Sequence, residues 1–209
     1  MYSNNGFIGL RSYRQPPPVG GVLVIRHSER YSILSDEQAY TAPLTENGKQ
    51  MAYELGMILA STHRIGEVVS SPVHRCIQTG EEILRGSSNG STSVGVVRPV
   101  PLLHFDLSLA RMDDLATLYL DDLTTRHLLA YPDSKIHTDL AAALLAELPF
   151  PRETGVINIA VTHDTVLSFL YGHFCPPKST SVLKYPGFLE GFYLVKKNGT
   201  VELYHSENG

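Results

Sequence analysis

The sequence lacks the features that mark several classes of protein. Its 209 residues include only two cysteines, Cys76 and Cys175, which are too few for a disulfide framework and favour a reducing compartment. No apolar run approaches the roughly 18 residues that a membrane-spanning helix needs, and residues 1–20 have no long apolar core of the secretory type. We therefore expect a cytoplasmic protein that does not bind a membrane.

The charge of the chain is also unsuited to a polyanionic partner. The formal net charge is -4 and the isoelectric point is near 6.1, so the sequence has no basic footprint for nucleic acid. Hydrophobic residues make up 43% and charged residues 18% of the chain, which is typical of a globular protein. Any binding of an anion must therefore depend on a few arginines that converge locally.

The order of apolar runs and turn residues predicts one α/β domain. Residues 1–20 contain a run of three prolines and are predicted to form an N-terminal arm, followed by a single domain over residues 21–209. Gly21–Ile25 and Val156–Val161 are unbroken apolar runs typical of strands buried on both faces of a parallel sheet. Strands that alternate with helices predict a three-layer sandwich, with a mostly parallel central sheet and helices on both faces.

The remaining elements follow from periodicity and turn chemistry. Residues 31–43 are predicted to be a loop across the mouth of the site, and Asn198-Gly199 is a strong hairpin signal between two strands at the edge of the sheet. Prolines in the third strand favour an edge position. The predicted helices cover residues 48–61, 73–84, 109–123, 138–148 and 166–174, and the predicted strands between them cover 67–71 and 96–103.

Arginine and histidine follow three predicted strands. Arg26-His27 and Arg30 come after the first strand, Arg75 lies one turn into the helix after the second, and His163-Asp164 follows the buried strand at 156–161. Ligands of open α/β sheets bind at the carboxyl ends of the strands, where these side chains would converge. Guanidinium groups and helix N-termini suit phosphate oxygens, so the pattern predicts a pocket for a dianionic phosphoryl group.

Such a pocket predicts a particular chemistry. One imidazole can attack phosphorus and form a phosphohistidine, while the other histidine and the arginines stabilise the charge on the phosphoryl oxygens. A carboxylic acid must then protonate the leaving alkoxide. His104 could be combined with His27 and His163 as a metal site, but no cysteine cluster or metalloprotease motif supports a metal, and no cofactor is predicted.

Four motifs in this order resemble the histidine phosphatase superfamily, which includes phosphoglycerate mutases and histidine acid phosphatases. Together they span residues 22–170, and this combination is specific although each motif alone is weak. The motifs are Arg26-His27-Ser28-Glu29-Arg30 for R-H-G-x-R, Leu44-Thr45-Glu46-Asn47-Gly48 for L-T-x-x-G, Ser70-Ser71-Pro72-Val73-His74-Arg75 with Thr79 for S-S-x-x-x-R, and Val161-Thr162-His163-Asp164 for the strand that ends in the second histidine.

The resemblance implies a phosphoglycerate mutase-like fold and a role for each matching residue. His27 is the phosphorylated nucleophile, and His163 completes the phosphate pocket. Arg26, Arg30 and Arg75 bind the phosphoryl group.

This sequence departs from the family pattern at two positions. Ser28 replaces the usual glycine, so a side chain next to the nucleophile either adds a hydroxyl donor to the pocket or alters the turn. Asp164 after His163 resembles the acid phosphatase branch, in which this aspartate is the proton donor. We therefore favour Asp164 as the general acid, and Asp106, in the segment after the third strand, is the rival.

The sequence thus predicts a metal-independent phosphomonoesterase that acts on a phosphorylated small molecule or a phosphoprotein. Two alternatives remain open, a mutase-type phosphotransferase and a non-catalytic module that binds a phosphorylated ligand. The sequence gives neither the natural substrate nor the oligomeric state, because the segments expected to contact substrate, residues 31–43 and 104–114, match no known recognition motif.

Overall fold

A six-stranded sheet forms the centre of the molecule. The computed structural model describes residue 13 and residues 15–35, 37–88, 95–104, 135–175 and 186–204. The strands are β1 (Gly21–Arg26), β2 (Arg64–Ser70), β3 (Val97–Pro99), β4 (Val156–Thr162), β5 (Gly191–Lys197) and β6 (Thr200–Leu203). Their order in the sheet is β3-β2-β4-β1-β5-β6, and the first four strands of this order are parallel.

Helices cover both faces of the sheet. The helices are α1 (Gln38–Thr41), α2 (Glu46–Ala60), α3 (His74–Ser87), α4 (Lys135–Glu147) and α5 (Asp164–Phe174), with a 3-10 turn at Pro101–His104. Alternate residues of β1 point to opposite sides, so Val24 packs with Leu144 of α4 and Leu167 of α5 in one apolar cluster, while Leu23 packs with Leu55 of α2 in the other. The predicted three-layer α/β sandwich is confirmed.

The pairing of the strands places the ends of β1, β2 and β4 side by side. In the parallel register Arg26 pairs with Thr162, and Ser70 pairs with Val161. The residues that follow each strand therefore emerge at one edge of the sheet. The backbone N–H of His27 donates to the carbonyl of Thr162 at 2.9 Å, which extends the β1–β4 ladder into the site.

The two edges of the sheet also match the sequence patterns. The third strand is short and lies at one edge, where Pro99 is tolerated because no further strand needs its missing donor. At the other edge β5 and β6 form an antiparallel hairpin, in which Asn198 and Gly199 have φ values of 51° and 85°. The hairpin prediction is confirmed.

Some element boundaries differ from the prediction. The second helix begins at Glu46 rather than Gly48, because the Thr45 hydroxyl caps it by accepting the N–H of Gly48 at 2.9 Å. The loop predicted over residues 31–43 contains the one-turn helix α1. The helix predicted over residues 109–123 lies outside the described residues. Within the ranges that the structure describes, no helix is long and apolar enough to span a membrane.

One residue of the predicted N-terminal arm is part of the core. The Tyr13 side chain is buried, packs edge-on against Tyr193 with ring centroids 6.1 Å apart, and donates its hydroxyl to the carbonyl of Leu189 at 2.7 Å. Leu189 has a φ of 56°, a left-handed conformation that is uncommon for leucine. The buried Tyr13 therefore anchors the turn at residues 186–190, while the division into arm and domain stays a prediction.

Candidate active site

His27 lies directly after β1 with its ring in one defined tautomer. The side chain is 3% exposed, and its Nδ1 lies 2.8 Å from the carbonyl oxygen of Ser28. A carbonyl can only accept, so Nδ1 carries the proton and Nε2 keeps its lone pair. This lone pair accepts a hydrogen bond from Nε of Arg75 at 3.1 Å. The ring is thus arranged as a nucleophile through Nε2.

The electrostatic environment keeps His27 neutral. Burial lowers the pKa of His27 from its ordinary value of 6.5 to about 3, and the positive charges of Arg75, Arg26 and Arg30 add to this effect against the opposing hydrogen bond to Ser28. An imidazole that is unprotonated at neutral pH can attack phosphorus without first losing a proton.

His163 follows β4 and has the opposite tautomer. Its Nδ1 lies 3.2 Å from Nη2 of Arg75, and a guanidinium can only donate, so the proton is on Nε2. The same Nε2 lies 2.9 Å from the hydroxyl of Ser71 and 3.2 Å from Nδ1 of His104. Burial lowers the pKa of His163 well below its ordinary value, and the nearby Arg75, His27 and His104 lower it further.

A single guanidinium joins the two histidines, whose ring centroids are 5.5 Å apart. Arg75 donates Nε to His27 and Nη2 to His163, and its Nη1 donates to the backbone carbonyl of Ala39. The first turn of α3 places Arg75 in this position, and the side chain is buried. Thr79, one turn later, donates its hydroxyl to the Arg75 carbonyl at 2.7 Å.

Two further arginines surround His27. Arg26 pairs with Asp164 at 2.8 Å between Nη2 and Oδ2, donates Nη1 to the carbonyl of Pro186 at 2.8 Å, and lies 4.7 Å from the centroid of the Phe188 ring. Burial lowers the pKa of Arg26, and Asp164 opposes this shift. Arg30 donates Nη1 to the carbonyl of Tyr31 at 2.9 Å. The structure therefore brings together three predicted phosphate-binding arginines with both histidines.

Comparison with known proteins agrees with this geometry. Residues 22–94, about a third of the chain, match the family model of the histidine phosphatase superfamily (branch 1). The resemblance to the histidine phosphatase superfamily is confirmed. The match includes the first three motifs and ends before His163, so it gives no information about Asp164. No curated protein sequence matches the chain.

Solved structures confirm the phosphoglycerate mutase-like fold. A mycobacterial glucosyl-3-phosphoglycerate phosphatase is 15% identical over 88% of this chain and 95% of its own, with a TM-score of 0.53. A phosphoserine phosphatase from Entamoeba histolytica is 15% identical over 89% of this chain and 95% of its own, with a TM-score of 0.52. A phosphoglycerate mutase from Bacillus anthracis is 14% identical over 90% of this chain and 92% of its own, with a TM-score of 0.51.

The second histidine phosphatase motif supports the turn that follows His27. Thr45 donates its hydroxyl to the Glu29 carboxylate at 2.6 Å and its backbone N–H to the Glu29 carbonyl at 3.1 Å. A side chain at Gly48 would place its Cβ 2.0 Å from that same carbonyl oxygen, so the helix can approach the turn only with glycine here. The motif therefore supports the backbone at Glu29, two residues after His27.

The side chain of Ser28, which replaces the usual glycine of the first motif, bonds to the first turn of α2. Its hydroxyl donates to the carbonyl of Gly48 at 2.7 Å, and its backbone N–H donates to the hydroxyl of Thr79 at 3.0 Å. The side chain is fully buried and its φ is not in the left-handed region. The hydroxyl proton is therefore engaged by α2 and not by the pocket, and an altered turn stays a prediction. Serine fits the turn by bonding to α2.

The structure places His104 in the site, although the sequence suggested it only as a metal ligand. The 3-10 turn after β3 brings its ring within 5.1 Å of the His163 ring and 5.1 Å of the Tyr40 ring, measured between centroids. A histidine soon after a strand was the available signal. Among the described residues, no cluster of three or more metal-ligating side chains is found.

The two candidate acids have different standing. Asp164 is the first residue of α5, pairs with Arg26 and accepts the N–H of Thr165 at 2.9 Å, so it adjoins the site through Arg26. Asp106 lies outside the described residues.

The sequence analysis did not place Cys76 in the site, although its sulfur lies 3.6 Å from Nε2 of His163. Burial raises the pKa of this thiol to about 12, which keeps it protonated.

Proposed function

We propose that this protein is a phosphatase that hydrolyses phosphate monoesters through a phosphohistidine on His27. The observation that carries the proposal is the state of the His27 ring. The Ser28 carbonyl fixes the proton on Nδ1, burial and three arginines keep the ring neutral, and Nε2 faces the Arg75 guanidinium. These are the requirements for an imidazole that attacks an anionic phosphorus centre.

The charge of the pocket supports a dianionic ligand. Arg26, Arg30 and Arg75 stand close enough for their charges to act on His27, and Asp164 is the carboxylate paired with Arg26. Within the part of the chain that the structure describes, the Nε groups of Arg26 and Arg30 are buried and have no hydrogen-bond partner. A buried N–H without an acceptor is costly, and a phosphoryl oxygen would supply that acceptor.

The first half of the reaction transfers the phosphoryl group to the enzyme. His27 Nε2 attacks phosphorus, the bond between phosphorus and the ester oxygen breaks, and the leaving oxygen receives a proton from a carboxylic acid. The N–H of Arg75 that now binds Nε2 must turn to a phosphoryl oxygen before this attack. His163, with its proton on Nε2, and the arginines stabilise the negative charge on the phosphoryl oxygens.

The second half returns the enzyme to its starting state. The carboxylate removes a proton from water, the water oxygen bonds to phosphorus, and the bond between phosphorus and Nε2 breaks. Inorganic phosphate leaves and His27 is neutral again. We propose Asp164 as the carboxyl group in both halves because it starts α5 beside Arg26, with Asp106 as the alternative. The substrate is a phosphorylated small molecule or phosphoprotein, and no metal or cofactor takes part in these steps.

The function can be tested with p-nitrophenyl phosphate in the presence of EDTA. Wild-type protein should release p-nitrophenolate, and His27→Ala should not. His173→Gln is the matched control, because His173 lies in the last turn of α5 and its substitution should leave the rate unchanged. Equal rates for the wild type and His27→Ala would overturn the phosphohistidine proposal.

The identity of the acid needs a separate test, which compares two leaving groups. Asp164→Asn should slow the hydrolysis of an alkyl phosphate by on the order of 10²-fold or more, because an alkoxide needs a proton to depart. The same variant should slow p-nitrophenyl phosphate much less, because p-nitrophenolate leaves without protonation. Equal slowing of both esters would transfer the role to Asp106.

A further inference from the structure

Residues 31–43, here the mouth segment, lie directly against the predicted phosphate pocket. The carbonyl of Ala39 accepts a hydrogen bond from Arg75, so the backbone of this segment touches the residue that joins the two histidines. The next residue, Tyr40, packs against His104, which packs in turn against His163. Tyr40 is nevertheless 54% exposed. Much of this side chain is therefore open to a ligand.

A second aromatic residue, Phe188, lies beside His27. The Phe188 ring centroid lies 5.7 Å from that of His27, and the same ring contacts the guanidinium of Arg26. The turn that carries Phe188 is anchored by the hydrogen bond from the buried Tyr13 to Leu189. Phe188, on the anchored turn, thus contacts His27 directly, whereas Tyr40, on the partly exposed segment, reaches His163 only through His104.

The charged residues of the mouth segment and of the turn at residues 186–190 are all acidic. Residues 31–43 and 186–190 contain no lysine, arginine or histidine, and their charged residues are Asp36, Glu37 and Glu190. Leu34 is 84% exposed and Tyr31 is 53% exposed, so the mouth segment also presents apolar surface. The arginines of the pocket already serve the phosphoryl group. A second anionic group on a substrate would find no cation in these two segments.

From these observations we propose a substrate class, an inference that rests on the phosphatase function proposed above. The site prefers phosphate monoesters whose leaving group is aromatic or otherwise apolar and carries no further anionic group, and Tyr40 is a residue that determines this specificity. The geometry of in-line transfer gives the reason. The leaving oxygen lies opposite His27 Nε2, so its substituent points away from the nucleophile, towards the outer side of the pocket.

The substrate class can be tested with two alkyl phosphates that differ in their leaving group. Benzyl phosphate presents an aromatic ring, whereas phosphoglycolate presents a carboxylate, and both release an alkoxide whose departure needs a proton. We expect kcat/KM to be about tenfold or more higher for benzyl phosphate, since an aromatic contact contributes about 0.5–1.5 kcal/mol and the two segments offer no cation to the carboxylate of phosphoglycolate. Equal or faster hydrolysis of phosphoglycolate would overturn the proposed substrate class.

A substitution at Tyr40 then tests the residue. Tyr40→Ala should lower kcat/KM for benzyl phosphate by roughly fivefold and leave that for phosphoglycolate unchanged, and Tyr40→Phe should retain the preference. Met57→Ala, which removes an exposed apolar side chain from the last turn of α2, is the matched control. An equal loss for both esters in Tyr40→Ala would mean that Tyr40 only supports His104, which contradicts a specificity role.

Failure of the phosphatase function would be distinguishable from failure of the substrate class. If neither ester is hydrolysed faster by the wild type than by His27→Ala, the phosphatase proposal is wrong. Binding of benzyl phosphate and phosphoglycolate, measured by isothermal titration calorimetry, then tests the preference alone. Tighter binding of benzyl phosphate that is lost in Tyr40→Ala would support the inference, and equal binding of both esters would overturn it.

Discussion

His27 and His163 occupy equivalent places after neighbouring parallel strands, yet the protein prepares them in opposite ways. His27 holds its proton on Nδ1, where the Ser28 carbonyl accepts it, and leaves Nε2 as an acceptor. His163 accepts on Nδ1 and holds its proton on Nε2, next to Ser71 and His104. Arg75 donates to Nε2 of His27 and to Nδ1 of His163, so the same guanidinium favours the opposite tautomers of the two rings.

The opposite tautomers support different roles for His27 and His163. In both rings the unprotonated nitrogen accepts a hydrogen bond from Arg75, but this nitrogen is Nε2 in His27 and Nδ1 in His163. We infer that His27 attacks phosphorus through Nε2, whereas His163 donates through its Nε2 proton. Both histidines follow a strand, so their position in the chain does not distinguish them. They differ in the hydrogen-bond partners of their ring nitrogens, which come from the backbone at Ser28 and from Arg75 in the first turn of α3.

The largest effect is expected from substitutions that break this pair. His27→Gln should reduce hydrolysis by on the order of 10⁴-fold or more and form no covalent intermediate. His163→Gln should reduce the rate by roughly 10²- to 10³-fold, because the flexible amide does not hold a donor where the imidazole N–H lies, while the nucleophile is kept. The measurement is the trapping of protein labelled by a radioactive phosphate ester, followed by denaturation in alkali and peptide mapping.

The labelled site decides between the two roles. In the wild type and in His163→Gln, the label should be on residue 27. Label on His163 in the wild type, or label that persists in His27→Gln, would reverse the assignment of nucleophile and supporting residue.

The second prediction removes the connection between the two rings. Arg75→Lys replaces a planar fork with a single ammonium group, which cannot reproduce the guanidinium hydrogen bonds from Nε to His27 and from Nη2 to His163. We expect kcat/KM to fall by about 10²- to 10³-fold. Arg85→Lys on the same helix is the control, because Arg85 is exposed and pairs with Glu82. Full activity of Arg75→Lys would mean that a single positive charge suffices there.

Much of this arrangement could be predicted from the sequence, and the remainder depends on tertiary contacts. Apolar runs at β1 and β4, each followed by histidine, predicted the strands and their convergence because burial on both faces leaves a local pattern. The tautomers could not be predicted, since they depend on the backbone conformation at Ser28 and on Arg75 and Ser71 from another part of the chain. His104 was considered only as a metal ligand, and its contact with His163 could not be predicted because only a short strand and a 3-10 turn precede it.

The third prediction uses acid to test the burial of both rings. The pKa of His27 is lowered to about 3, and that of His163 is also lowered, so the unfolded chain binds these protons more readily than the folded one. The free energy of unfolding should therefore fall as the pH decreases from about 6.5 towards 3. For His27 alone the loss is roughly 4 to 5 kcal/mol at the acid end of this range.

Urea denaturation between pH 7 and pH 4 measures this effect. His27→Gln and His163→Gln should each show a shallower decline of the unfolding free energy than the wild type, and the double variant the shallowest. Carboxylates contribute equally to all four proteins, so the difference between the slopes reports the histidines. Parallel curves for the wild type and His27→Gln would contradict a strongly lowered pKa.

The smallest effect is expected for substitutions of Ser28. They separate the role of its backbone carbonyl from that of its side chain. The carbonyl of Ser28 fixes the His27 tautomer, while its hydroxyl bonds to Gly48. Ser28→Ala removes only the hydroxyl and should lower the free energy of unfolding by about 1 kcal/mol. Ser28→Gly should lower it slightly more because glycine gains freedom in the unfolded chain. Both variants should retain kcat/KM close to that of the wild type, because the carbonyl remains. A large loss of activity with unchanged stability would instead give the hydroxyl a role in the pocket.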